Sequence, residues 1–141
     1  MKISSLRHSA GQVGGIVFFG RMLDKIRLHA QGKLPTDYNR GVGFDRRVCH
    51  FLHVEYPSVV ERVLAGGSDE EILAWCFAHG HKPDEEEIFI FNAFLTKRGW
   101  QDDSSAELET MKHKRGFGAR PDIQTFFDFH KADDETRPYR L

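Results

Sequence analysis

Residues 15–32 read GIVFFGRMLDKIRLHAQG. Phe19, Met22, Leu23, Ile26 and Ala30 recur there at i, i+3, i+4, i+7 and i+11, the spacing that lines apolar side chains along one face of a helix. Val17 and Leu28 fall off that stripe, among Arg21, Asp24 and Lys25. The helix therefore needs cover on more than one side and is expected at the centre of a bundle. Gly32 supplies its C-cap, and Pro35 forbids its continuation.

Outward from this element the chain reads as helices. Before it, residues 1–14 carry serine and glycine with little periodicity, an arm that lies over the bundle or frays. After it, KLPTDYNRGVG is a loop, and Phe44, Val48, Phe51 and Leu52 make a short second helix. Tyr56-Pro57 starts a third, with Val59, Val60, Val63 and Leu64 inward. Ser68 with Glu71 forms a capping box for a fourth, which runs to about His79. Asp84 and the acidic run behind it open a fifth, IFIFNAFL, closed by Lys97, Arg98 and Gly99. Being apolar nearly all round, that helix is expected to be the second core helix. Ser104-x-x-Glu107 opens a sixth and Pro121 a seventh, where Ile123, Phe126, Phe127 and His130 share a face. Residues 133–141 read as a loose polar tail. The expectation is an all-α, single-domain bundle of about six or seven helices over residues 1–141, with 12 Phe against 3 Tyr and 2 Trp giving a Phe-rich core.

The bulk numbers narrow the function classes. A formal net charge of −1 gives no global electrostatic case for nucleic acid or an anionic membrane. No apolar run approaches the ~18 residues of a membrane span, and none makes a signal peptide. Cys49 and Cys76 sit in apolar helical patterns, which suits buried thiols in a reducing compartment. The expected location is the cytoplasm.

The leading chemistry is the charged set on the first helix. Asp24 has Arg21 three residues before it and Arg27 three after, and Lys25 lies one turn beyond Arg21. Charges near a core must be paired or must serve something. One reading makes Arg21, Asp24, Lys25 and Arg27 an anion site, with Asp24 orienting Arg21 toward a carboxylate or phosphate. The other makes them a helix-to-helix ion network whose missing anions come from elsewhere, such as Asp45 or Glu55.

The pattern Arg21-x-x-Asp24-Lys25-x-Arg27, with Gly32-x-Leu34, Gly43-Phe44-Asp45, Phe51-Leu52, DEEILAW from Asp69 to Trp75, and Asn92-Ala93-Phe94, resembles a family of small bacterial proteins catalogued only as a domain of unknown function. The resemblance runs from about Leu6 to Phe129, and the Asp-Lys-x-Arg core is its most specific part. It implies a bacterial, soluble, helical protein. It brings no activity, because none is attached to the family.

Other motifs are weaker. His50-x-x-His53 and His79-x-His81 lack converging ligands, so no metal site is expected. KHKRGFGAR, residues 112–120, precedes a helix start but follows no strand, which favours a helix cap over phosphate or RNA contact. Asn92 interrupts the most apolar run, and its amide is expected to satisfy a neighbouring loop. No local motif assembles a catalytic constellation, and no cofactor is implied. Two classes remain. The favoured one is a non-catalytic binding or regulatory module with a protein partner, because no catalytic constellation appears. The other is a small-ligand enzyme or sensor that holds an anionic group at Arg21 and Lys25, with Asp24 as orienting or acid/base residue. The oligomeric state is left open by the sequence.

Overall fold

The computed structural model describes residues 6–136; residues 1–5 of the expected arm and 137–141 of the expected tail lie outside them. The described residues form seven α-helices and one short hairpin, a predominantly helical domain. The hairpin departs from expectation. β1 (Gln12–Val13) pairs antiparallel with β2 (Ile16–Val17), with Val13 opposite Ile16. Gly14 and Gly15 turn it at φ +57° and +82°, the left-handed conformation that a two-residue hairpin loop demands and glycine supplies without steric cost. Ile16 and Val17 are thus strand residues, and α1 (Phe19–Ala30) begins after them. The arm lies over the bundle, with Leu6, Ser9 and Val13 buried.

α1 takes the central place its two-sided pattern requires. Phe19, Met22 and Leu23 are fully buried, and the helix packs on the hairpin, on α2 (Phe44–Leu52) and on α3 (Tyr56–Leu64). α4 (Asp69–His79) and α5 (Glu85–Lys97) both open on capping boxes: Glu71 N donates to Ser68 Oγ at 3.1 Å and Glu87 N to Asp84 Oδ1 at 2.8 Å, and each glutamate accepts in return from the cap's own N–H. α6 (Ser105–Lys114) starts differently, because Ser104 makes no side-chain cap. There Asp102 Oδ1 accepts from Ser104 N and Ser105 Oγ accepts from Asp102 N, both at 2.9 Å.

Pro121 opens a turn, and the last helix begins five residues later. α7 (Phe126–Thr136) is set by a reciprocal cap in which Asp128 N donates to Thr125 Oγ1 at 3.1 Å and Thr125 N to Asp128 Oδ2 at 3.2 Å. It continues through residues 133–136, expected in a loose tail, because Asp133 and Asp134 are buried against cations. Phe18, Phe19 and Phe127 belong to the main core, and Phe117, Phe126 and Phe129 to a second cluster under α6 and α7. Each buried Phe side chain contributes ~1.5–3 kcal/mol.

α5 is the largest departure. Expected as the second core helix, it runs along the outside with Leu95 its one fully buried residue, while Phe89, Ile90 and Phe94 are 68%, 59% and 43% exposed. It packs on β2 and α7. Asn92 fixes it to the hairpin, accepting from Val17 N at 3.1 Å and donating to Gly15 O at 2.7 Å. The asparagine satisfies a neighbouring loop, as its place in an apolar run suggested. No described helix is long and apolar enough to cross a membrane.

Candidate functional site

The charged set on α1 is divided between two sides of the helix. On one side Asp24 accepts three bonds from Arg7, from the backbone N at 2.8 Å and from Nε and Nη2 at 2.9 Å each. Arg7 Nη1 reaches Asp69 at 2.6 Å, and Arg27 also pairs with Asp69, at 2.9 Å, standing 3.8 Å from Asp24. Burial works against ionised Asp69, but the hydrogen bonds from Arg7 and Arg27 outweigh it and hold its pKa below the usual carboxylate range. This half is a closed network of two arginines and two aspartates.

On the other side Arg21 and Lys25 face the loop between α1 and α2, at Tyr38 and Asn39, and Arg21 faces the last helix. Arg21 holds Asp134 through both oxygens, Nη1 to Oδ2 at 2.6 Å and Nη2 to Oδ1 at 3.2 Å, and also donates to Arg7 O at 3.2 Å. Tyr38 Oη donates to Asp134 Oδ1 at 2.8 Å. Lys25 Nζ donates to Asn39 O at 2.8 Å and stands 2.9 Å from Asp45 Oδ1. The second contact is a buried ion pair, with both side chains shielded from solvent. Burial lowers the Lys25 pKa, and Asp45 opposes it. Of the outside anions the sequence offers, Asp45 joins the set and Glu55 does not. Asp134, 113 residues away in sequence from Arg21, has no local signal; nor does Tyr38.

Arg21 and Lys25 line a hollow of about 460 Å³ with Tyr38, Arg115 and His130. Among the described residues its wall carries four cations and two carboxylates, Asp37 and Asp133, and Asp45 and Asp134 pair with Lys25 and Arg21. Among these described groups the formal charges balance, so what they offer is N–H donors. Lys25 directs one N–H to Asn39 O and another to Asp45, leaving one, and Arg115 reaches Asp37 through Nη2 at 2.7 Å and Asp133 through Nε at 3.0 Å, leaving its other N–H groups. Phe18 and Phe129 supply apolar wall. A second hollow of about 290 Å³ adjoins, sharing Phe18, Lys25 and His130 and adding Phe44 and Phe126.

His130 stands between the two hollows. Its Nδ1 lies 2.7 Å from Ser9 Oγ, and Ser9 is fully buried with no other side-chain partner among the described residues. A buried hydroxyl must donate, so Ser9 donates to Nδ1 and the ring proton sits on Nε2. Burial first, then Arg21, Lys25 and His8, push the His130 pKa well below the usual histidine range. At neutral pH it is a neutral N–H donor. The periodicity places His130 on the α7 core face, and only the fold makes it a pocket residue.

The remaining motifs have structural roles. Lys112 is buried and donates to Arg120 O and Ile123 O at 3.0 Å each, and Arg120 pairs with Asp122; from the 112–120 run Lys114 and Arg115 reach the hollow. His53 and His81 stack at 4.8 Å, and His81 Nε2 meets Glu87 Oε2 at 2.8 Å. Among the described residues no group of three or more His, Cys, Asp or Glu side chains is placed to hold a metal ion. Cys49 and Cys76 are free and buried, and burial raises their thiols to about 12 and about 11.

With this geometry in view, comparison with known proteins identifies the class. Residues 3–136 match the family described as Domain of unknown function (DUF5069), and the chain belongs to that family. No curated protein matches it.

Proposed function

We propose that this protein binds a small molecule through an anionic group, a carboxylate or a phosphate, in the hollow beside Arg21. The observation that carries the reading is a space of about 460 Å³, lined by the donor-bearing side chains Lys25, Arg115 and His130 between aromatic walls and within the range of small-molecule sites. Of the two classes left open by the sequence, a space of this size at Arg21 favours the ligand over a domain that meets protein partners alone. Asp134 and Asp45 hold Arg21 and Lys25 in place, so a ligand meets oriented donors and little ordering is required on binding. Asp37, half-exposed on Arg115, is the carboxylate a ligand anion would displace. The role is binding, as in a sensor, because His130 with its proton on Nε2 donates to a ligand oxygen and is a poor base. Two buried thiols without a disulfide suit a reducing compartment, and we place the protein in the cytoplasm.

Thermal shift and calorimetry against small carboxylates and phosphate monoesters test the reading. A ligand at 100 times its Kd adds about 2.7 kcal/mol of stability. Arg115→Gln keeps a donor beside Asp133 but removes the charge, and it should weaken binding roughly tenfold or more, the loss of one charge-assisted hydrogen bond. A broad panel with no stabilisation that depends on Arg115 removes the reading.

A further inference from the structure

A helix that is apolar all round belongs under cover, yet α5 turns Phe89, Ile90 and Phe94 to solvent at 68%, 59% and 43% exposure. The outward stripe has an order. Opposite the buried Leu95 lie Glu86, Ile90, Ala93 and Lys97, at i, i+4, i+7 and i+11, the alternation that forms the seam between two paired helices. Phe89 flanks the stripe on one side and Phe94 on the other. Neither Glu86 nor Lys97 has an ion pair among the described residues.

We propose that α5 is the seam of a symmetric dimer in which two copies of this chain lay it antiparallel. The stripe is complementary to its own reversal. With a two-fold axis midway between Phe91 and Asn92, Ile90 of each copy faces Ala93 of the other, and Glu86 of each faces Lys97 of the other. The small Ala93 lets the helices approach around Ile90, and the charges at both ends pair in this direction and in this register. A parallel arrangement would set Glu86 on Glu86 and Lys97 on Lys97. The two Phe89 rings then close one edge of the seam and the two Phe94 rings the other. Phe94 already lies between two guanidinium groups of its own chain, Arg47 at 4.9 Å and Arg98 at 5.3 Å, which hold it at the rim of a groove with Phe51 and Phe91. Such self-complementarity is what an isologous two-fold interface requires. A seam of 13 residues is ~20 Å long, which puts the contact at the small end of specific interfaces.

Sedimentation equilibrium of the full chain from about 1 to several hundred micromolar should show a reversible monomer–dimer equilibrium. Ile90→Glu should give a monomer at every concentration with unchanged helical circular dichroism, since Ile90 is 59% exposed. Glu86→Lys and Lys97→Glu should each weaken dimerisation about five- to thirtyfold, as two symmetric pairs turn repulsive. The double variant, with both charges exchanged, should recover wild-type association. A monomer mass at every concentration overturns the proposal, as does a dimer that survives Ile90→Glu. Failure of the double exchange to restore what the single ones lose overturns the antiparallel register.

Discussion

Asp134 grips Arg21 through both carboxylate oxygens across 113 residues of sequence, with Nη1–Oδ2 at 2.6 Å and Nη2–Oδ1 at 3.2 Å, and both side chains are more than nine-tenths buried. Removing one member of such a pair leaves the other charged, buried and unmatched. Asp134→Ala is expected to cost about 3–5 kcal/mol in urea denaturation, whereas Arg21→Met with Asp134→Leu should recover most of the loss. A single variant as stable as wild type would show that Arg21 is solvated.

Asp24 behaves differently because its main partner does. Arg7 is 41% exposed on its side chain, so water takes up part of what Asp24 gives. Asp24→Ala should cost about 1–3 kcal/mol, the range of hydrogen bonds to a charged group, and less than Asp134→Ala. A double-mutant cycle with Arg7→Ala measures the coupling, and a coupling near zero would dissolve this network.

Stability should fall as pH drops through the histidine range. The His130 pKa is lowered in the fold by burial, then by Arg21, Lys25 and His8, so between that value and the unfolded ~6.5 the unfolded chain binds the extra proton. The stabilisation is complete above the unfolded pKa and is lost as pH falls from about 6.5 toward the folded pKa. His8 is lowered too and adds to the slope. His130→Gln should flatten the dependence of the denaturation midpoint between pH 7.5 and 5.5. An unchanged slope would mean that His130 titrates freely.

Cys49 and Cys76, raised to about 12 and about 11 and buried, are expected to resist a thiol reagent at pH 8 in the native protein. Both should react at once in denaturant, without a reductant. Rapid native labelling would place at least one thiol at the surface.

Much of the architecture was legible because its signals are local. The Ser68 and Asp84 capping boxes each close within four residues, and the α1 stripe states its own need for cover. The Gly14-Gly15 turn had a readable signal as well, two glycines between β-branched residues, but the stripe that follows drew Ile16 and Val17 into the helix. Two features were not legible. The partners of Arg21 and Asp24 come from Asp134 and Arg7, and nothing local marks a carboxylate or arginine that will arrive from the far end of the chain. The apolar composition of α5 shows that its faces need cover and is silent on whether that cover comes from the same chain.

The bidentate clasp on Arg21 also sets an order of events in the cell. The arginine is synthesised 113 residues before its carboxylate, which at ~5–20 residues per second is a wait of roughly 6 to 23 s. Throughout that interval the guanidinium keeps its hydration shell, and α1 has no reason to give up solvent on that side. The nascent domain can bring together its hairpin and early helices but leaves the hollow unwalled until α7 emerges. Closure of the hollow is thereby tied to translation of the chain as far as Asp134.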